Sequence, residues 1–290
     1  MRPRPREAGA CPAEGGCRFS VGHAAEPKTS SSARSCGVGR RSRSLIGPHC
    51  LRRTGIPSSD DALARGGDRM IRLHHCVGAR SFRPLWMLEE IGLPYELVVL
   101  PFPPRAHRKD FFAVNPLGTI PAFRDGDTVM TESAAICAYL GARYSPGNLG
   151  VAPEEAEYGA YLNALHLGEA TLTVPQTLVL RYGRFEPPER RLPQVVEDYA
   201  RWFGSRLRAF GSLFGDRTYA AADRFTAADI SLGYALMLAE MAGLDEQVPD
   251  FARAYLARLR ARPAHARACA AERDAALAQG VSPRPAPLGG

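Results

Sequence analysis

Asn115-Pro-Leu-Gly-Thr-Ile-Pro121, then Ala122-Phe123, a turn at Asp125-Gly126-Asp127, Val129-Met130 and finally Glu132-Ser133, is the stretch on which the fold turns. Pro and Gly punctuate it, and short apolar runs flank Asp-Gly-Asp. That pattern predicts two short antiparallel strands. From Thr131 to Tyr144 the apolar residues Ala135, Ile136, Tyr139 and Leu140 recur at helical spacing, so a helix opens as soon as the second strand ends.

Upstream, Ile71 to Cys76 predicts a strand, and Ser81 to Gly92 a helix with Leu85, Leu88 and Ile91 on one face. Ser81 is its expected N-cap, Pro84 is tolerated in the first turn, and Gly92 ends it. Only Leu93-Pro94 separates this helix from a second strand, Tyr95 to Leu100, so the two strands are expected to lie side by side and parallel. A short helical segment, His107 to Val114, leads into the opening stretch.

Downstream, Ser145-Pro-Gly-Asn148 breaks the pattern and only helical periodicity follows, at 153–182, 188–214, 226–242, 248–261 and in a shorter terminal helix. Pro175 should kink the first of these. Thr226 and Asp229 are spaced as a capping box, with Phe225 and Ile230 stapling it. The expected fold class is therefore α/β plus all-α: a βαβ-α-ββα domain at 70–145 and a helical-bundle domain at 152–280. The tail at 281–290, with three prolines and a final Gly-Gly, is expected to be disordered.

The net charge of +7 suggests nucleic-acid binding until it is divided. Thirteen of the 37 Lys and Arg and 6 of the 30 Asp and Glu precede Met70, leaving 24 of each sign from there on. Residues 70–290 thus carry no electrostatic footprint for nucleic acid or an anionic membrane. Cys76, Cys137 and Cys269 are isolated, with neither disulfide nor metal-binding spacing, so no metal is expected and a reducing cytoplasm fits.

Residues 1–69 form an Arg- and Ser-rich leader without periodicity, expected to be disordered. Three readings stay open for it: a basic arm, an organelle transit peptide, or upstream sequence translated from a start called too early. Met70 stands at the first residue of the fold, and Arg65-Gly-Gly-Asp before it can be encoded by a purine-rich run, which favours the last.

The Asn-Pro-x-Gly-x-Ile-Pro motif with Glu132-Ser133 eleven residues on, the Leu-Glu-Glu-x-Gly-Leu-Pro-Tyr stretch and the Phe-Thr-x-Ala-Asp box together resemble the cytosolic glutathione transferase superfamily, bacterial-type with no class assigned. The resemblance implies that the first domain is thioredoxin-like and that Ile120-Pro121 is a cis peptide. The Ile120 N–H and C=O would then pair with the cysteinyl backbone of glutathione as an added strand. It implies further that Ser133 binds the γ-glutamyl carboxylate at a helix start while Glu132 takes the ammonium. His107, Arg108 and Lys109 are candidates for the glycyl carboxylate, or else a solvated cationic face.

A transferase makes the glutathione thiolate with a donor in the loop after the first strand. The usual serine or threonine positions fall on Gly78 and Ala79, and the position of an active cysteine falls on Arg80. Two substitutes remain: the Ser81 hydroxyl, which either caps the helix or reaches the thiolate, and the Arg80 charge. Cys76, His74 and His75 are read as structural. Tyr158, Leu162, Leu165, His166, Glu169 and Tyr182 line an electrophile site or else belong to interhelical core or a dimer contact. The implied function is conjugation or reduction of small electrophiles by glutathione as co-substrate, in a cytoplasmic, detoxifying homodimer; the alternative is a non-catalytic binding module of the same shape.

Overall fold

The computed structural model describes residues 70–288, so the leader at 1–69 and its three readings lie outside the described residues, as do residues 289 and 290. Strand β1 (Ile71–His75), helix α1 (Phe82–Ile91) and strand β2 (Tyr95–Val99) form the first unit, with β1 and β2 parallel and Leu73 opposite Leu97. The short helix α2 (Pro104–His107) and a 3-10 turn (Lys109–Ala113) lead to β3 (Ala122–Asp125) and β4 (Thr128–Met130). Sheet order is β2-β1-β3-β4, with β3 antiparallel to both neighbours. Helix α3 (Ser133–Tyr144) completes a thioredoxin-like layer in which α1 and α3 pack together.

The remaining elements are helical: α4 (Tyr158–His166), α5 (Val174–Leu180), α6 (Pro193–Phe214), α7 (Ala227–Ala242), α8 (Asp250–Arg260) and α9 (Pro263–Ala278). The helix expected over 153–182 is divided. A widened, π-helical segment, Leu167–Thr173, separates α4 from α5, and Pro175 sits in the first turn of α5. Proline has no N–H to give, so the chain restarts its hydrogen-bond ladder there. Gly168 in that segment lets it cross α7 closely, since a Cβ would stand 2.6 Å from the carbonyl carbon of Ser231.

Helix α1 joins the two layers. Phe82, Leu85, Trp86, Met87 and Leu88 are all buried, and each such side chain withdrawn from water contributes about 1.5–3 kcal/mol. Trp86 packs edge-on to His265 of α9 at 4.8 Å and against Phe225 at 5.9 Å. The two glutamates ending α1 reach the helical layer as well. Arg262 grips Glu90 at 2.7 and 2.8 Å, and Arg267 binds Glu89 at 3.0 Å. Helix α7 starts in the expected capping box, Thr226 accepting from Ala228 and Asp229 accepting from Thr226.

The expectation of a disordered tail does not hold for residues 281–288. The Ala286 N–H donates to the Val77 carbonyl at 2.7 Å, Arg184 donates to the Pro287 carbonyl at 3.1 Å, and Ala286–Leu288 closes a 3-10 turn. Its backbone groups find partners on the loop after β1, on α9 and on Arg184.

Candidate functional site

The loop from Cys76 to Ser81 carries the chain from β1 into α1. Gly78 takes φ +68°, its N–H donates to Glu272 of α9 at 3.0 Å, and its carbonyl accepts from the Tyr234 hydroxyl at 3.2 Å. With Val77 tied to Ala286, the bend presents Arg80 at its end. The Arg80 guanidinium bonds Thr177 Oγ1 at 2.9 Å and pairs with Glu169 at 3.0 Å, while its side chain stays 36% exposed.

Arg80 lines a cleft of about 270 Å³ between the two layers. One wall is the thioredoxin-like layer, with Ala79, Arg105, Gly118, Thr119 and Ile120. Opposite stand Thr177, Leu180, Phe185, Tyr234 and Leu238, and Ala286 with Pro287 fills one side. Phe102 and Phe185 meet across it with ring centroids 5.6 Å apart. The cleft is thus apolar with a cationic edge, suited to an anion joined to an apolar body.

The Ile120–Pro121 peptide is cis, Pro121 is buried, and Ile120 lies just outside the ladder that begins at Ala122. Among the described residues, neither the N–H nor the C=O of Ile120 is hydrogen-bonded. Asn115, five residues before Ile120, folds the motif onto itself: its amide donates to the Thr119 carbonyl at 2.7 Å and its side-chain oxygen accepts from Leu117 N at 3.0 Å.

Glu132 is exposed and immediately precedes α3, and Ser133 is that helix's first residue. The Ser133 hydroxyl is buried, accepting from Arg83 at 3.1 Å and donating to Glu169 at 3.3 Å. Arg83 is wholly buried. It pairs with Glu169, donates to Thr173 at 2.8 Å and Gly168 O at 3.2 Å, and lies 4.4 Å from the Tyr234 ring. Burial pulls its pKa down and the Glu169 carboxylate opposes that.

Two expectations need correction. Ser81 neither caps α1 nor faces the cleft: its buried hydroxyl accepts from Cys76 N at 3.2 Å and bonds His75 Nδ1 at 2.9 Å. Its backbone is already helical, φ −64° and ψ −11°, which turns the side chain away from the first helical amides. Tyr158 and Leu162 line a separate cavity of about 330 Å³ with Ala138, Ala142 and Val151, and His166 points to solvent. The splitting of the long helix places α5, rather than α4, beside the cleft.

Of the three expected cations none lines the cleft. Arg108 is spent on Asp110 at 2.9 and 2.6 Å, Lys109 on the Arg105 carbonyl at 3.1 Å, and His107 is exposed. Arg105 lines it instead, two residues before His107 and therefore half a helical turn away. Thr177, Leu180, Phe185, Tyr234 and Leu238 were also missed; only the apolar spacing of their helices marked them, which equally marks core. Cys76 is buried at the strand end, where desolvation pushes its thiol up to about 12.

These features together define a glutathione transferase type of protein: a thioredoxin-like layer with a cis-proline edge, set against a helical bundle across one cleft. The family "Glutathione S-transferase, N-terminal domain" matches residues 79–143. Glutathione S-transferase 4 of Zea mays is 30% identical over 189 residues, 63% of this chain and 83% of that one. Glutathione S-transferase 3 of Schizosaccharomyces pombe is 36% identical over 103 residues, 36% of this chain and 43% of the relative's own length. A sphingomonad glutathione S-transferase solved in complex with glutathione superposes with TM-score 0.61 and 25% identity, covering 69% of this chain and 98% of that one. The chain belongs to the glutathione S-transferase family.

Proposed function

We propose that this chain binds glutathione along Ile120, stabilises its thiolate with Arg80 and transfers it to an apolar electrophile in the same cleft. The observation that carries the proposal is one juxtaposition: an unpaired backbone edge at Ile120 and a half-exposed guanidinium at Arg80 line one cleft whose far wall is apolar. The cysteinyl backbone of glutathione pairs with Ile120 as an added strand. Arg105 takes the glycyl carboxylate, in place of Lys109 or His107. Glu132 takes the γ-glutamyl ammonium, and the Ser133 N–H at the start of α3 takes the carboxylate, because the Ser133 hydroxyl is already engaged.

Arg80 then lies beside the sulfur. A fixed cation next to a thiol favours the thiolate, the nucleophilic form. The sulfur lone pair attacks the electrophile seated among Phe102, Leu180, Phe185 and Leu238, the leaving group departs with the electron pair, and the proton has already gone to solvent. Conjugation to an aromatic halide balances in this way without an oxidant. The same reading carries a homodimer, which gel filtration checks.

Arg80→Met tests it. Loss of a charge-assisted contact of about 1.5–3 kcal/mol raises the bound thiol pKa by about one to two units, so conjugation at pH 6.5 falls roughly 10- to 100-fold. Retention on glutathione resin should persist. Unchanged turnover in Arg80→Met refutes the role of Arg80. Retention by the wild type with no turnover favours the binding-module alternative, which the missing hydroxyl at Gly78 and Ala79 supports.

A further inference from the structure

The buried ends of β1 and α1 hold a chain of polar groups that the proposed chemistry does not touch. Cys76 N–H donates to Ser81 Oγ at 3.2 Å, Ser81 Oγ lies 2.9 Å from His75 Nδ1, and His75 Nε2 lies 3.0 Å from Glu272 Oε2. The same Glu272 oxygen accepts from Gly78 N–H at 3.0 Å. With His75 neutral, the donors run one way: Nε2–H gives to the carboxylate, and Ser81 O–H gives to Nδ1. His75 and Ser81 are fully buried, so this is no nucleophile with its base.

Glu272 is the unusual member. Its side chain is 13% exposed, and among the described residues no Lys or Arg pairs with it. Its hydrogen-bond partners there are His75 and the Gly78 amide. Holding a carboxylate in so dry a place costs desolvation that a neutral acceptor would avoid. What it holds is the bend itself: the Gly78 amide on one side and, through His75, the Ser81 hydroxyl on the other. Arg80 stands between those two points.

We propose that Glu272 is a positioning residue for Arg80: from α9 it clamps both sides of the loop that presents the guanidinium to the cleft. The proposal rests on the functional reading above only for its consequence in catalysis; the clamp itself is independent of it. Charged groups facing Arg80 from the packed elements are Glu169, Arg83 and Arg105. None of them contacts the Gly78 amide, so none replaces Glu272.

Full-length Glu272→Ala, Glu272→Asp and Glu272→Gln are compared with Arg273→Ala, an exposed neighbour on α9 paired with Asp274. The first readout is amide hydrogen exchange of the peptide containing residues 76–81, without glutathione. Removing the acceptor oxygen in Glu272→Ala should speed exchange there about tenfold, with Glu272→Asp in the same direction and smaller, Glu272→Gln near wild type because its amide oxygen still accepts, and Arg273→Ala unchanged. The second is the pH dependence of conjugation to an aromatic halide, whose acid limb should move up by about one unit in Glu272→Ala at little changed glutathione KM. Exchange at the wild-type rate in both Glu272→Ala and Glu272→Asp overturns the clamp; an acid limb that stays in place while the loop loosens overturns the positioning of Arg80. If the wild type conjugates nothing, the activity reading fails by itself and exchange alone decides the clamp. If Glu272→Ala does not fold, Glu272→Asp supplies both readouts.

Discussion

Gly78→Ser puts a hydroxyl back where the family resemblance places one, and it should harm this protein. Gly78 takes φ +68°, a left-handed conformation that costs a residue with a Cβ about 1–2 kcal/mol. That Cβ would stand 2.6 Å from Pro285 Cβ, 3.0 Å from Pro285 Cα and 3.4 Å from Met241 Sδ. Overpacking of this kind adds about 1–3 kcal/mol, for a sum of roughly 2–5 kcal/mol. At about 2–4 °C per kcal/mol for a domain of this size, the melting temperature should fall by roughly 4–20 °C. The assay is thermal unfolding beside conjugation at fixed pH, each repeated in a chain ending at Gly280. Without Pro285 the crowding is gone, and Gly78→Ser should then cost only the backbone part, about 1–2 kcal/mol. A Gly78→Ser protein that melts with the wild type and turns over faster would refute the reasoning, because the space beside Gly78 would then be open.

Other substitutions separate the site's parts. Arg105→Ala should raise the glutathione KM about tenfold by removing a charge-assisted contact, whereas Lys109→Ala should change it less than about twofold, as for an exposed cation; steady-state kinetics against glutathione distinguish them. Arg83→Met leaves Glu169, Ser133 and Thr173 without their buried partner and should cost about 3–5 kcal/mol in chemical unfolding, part of it recovered by adding Glu169→Gln. Cys76 and Cys137, each with its thiol pushed up to about 12 by burial, hold a thiolate fraction of roughly 10⁻⁴ at pH 8. Both side chains are also closed to reagent, so their peptides should stay unalkylated by iodoacetamide in the native protein and label fully in denaturant.

Elements whose cause is local were legible. The hairpin at Asp125-Gly126-Asp127 follows from turn chemistry, and the α7 start follows from Thr226 and Asp229, three residues apart. The cis bond at Ile120-Pro121 was implied by the family resemblance of its motif, and the helix start after Glu132 by the apolar spacing that follows it. Ser81 was not. Its capping role was argued from the next few amides, but its partner His75 is held in turn by Glu272, almost two hundred residues later. The substrate wall failed for a related reason: one periodic run from 153 to 182 hides the widened segment at Leu167–Thr173, which decides whether α4 or α5 meets the cleft. Composition likewise marked residues 281–288 as disordered, because backbone pairing with Val77 leaves no trace in side-chain pattern.

The same long-range ties bear on how a transferase loop works without its usual hydroxyl. Val77 accepts from Ala286, Gly78 donates to Glu272 and accepts from Tyr234, and Arg80 binds Thr177 and Glu169. Every one of those partners lies in the helical layer or the segment after it. A serine in the loop carries its donor on a short side chain, so backbone position alone aims it. An arginine has a long stem with several rotatable bonds and must be held at its far end to act as a fixed charge. Thr177 and Glu169 supply that hold, and Glu272 and Ala286 fix the base of the stem. Glycine at position 78 serves the same arrangement, because it lets Pro285 approach closely enough for Ala286 to reach Val77. Absence of the hydroxyl and ordering of the C-terminal segment are therefore two sides of one packing solution, in which the second layer holds in place the Arg80 charge proposed for catalysis.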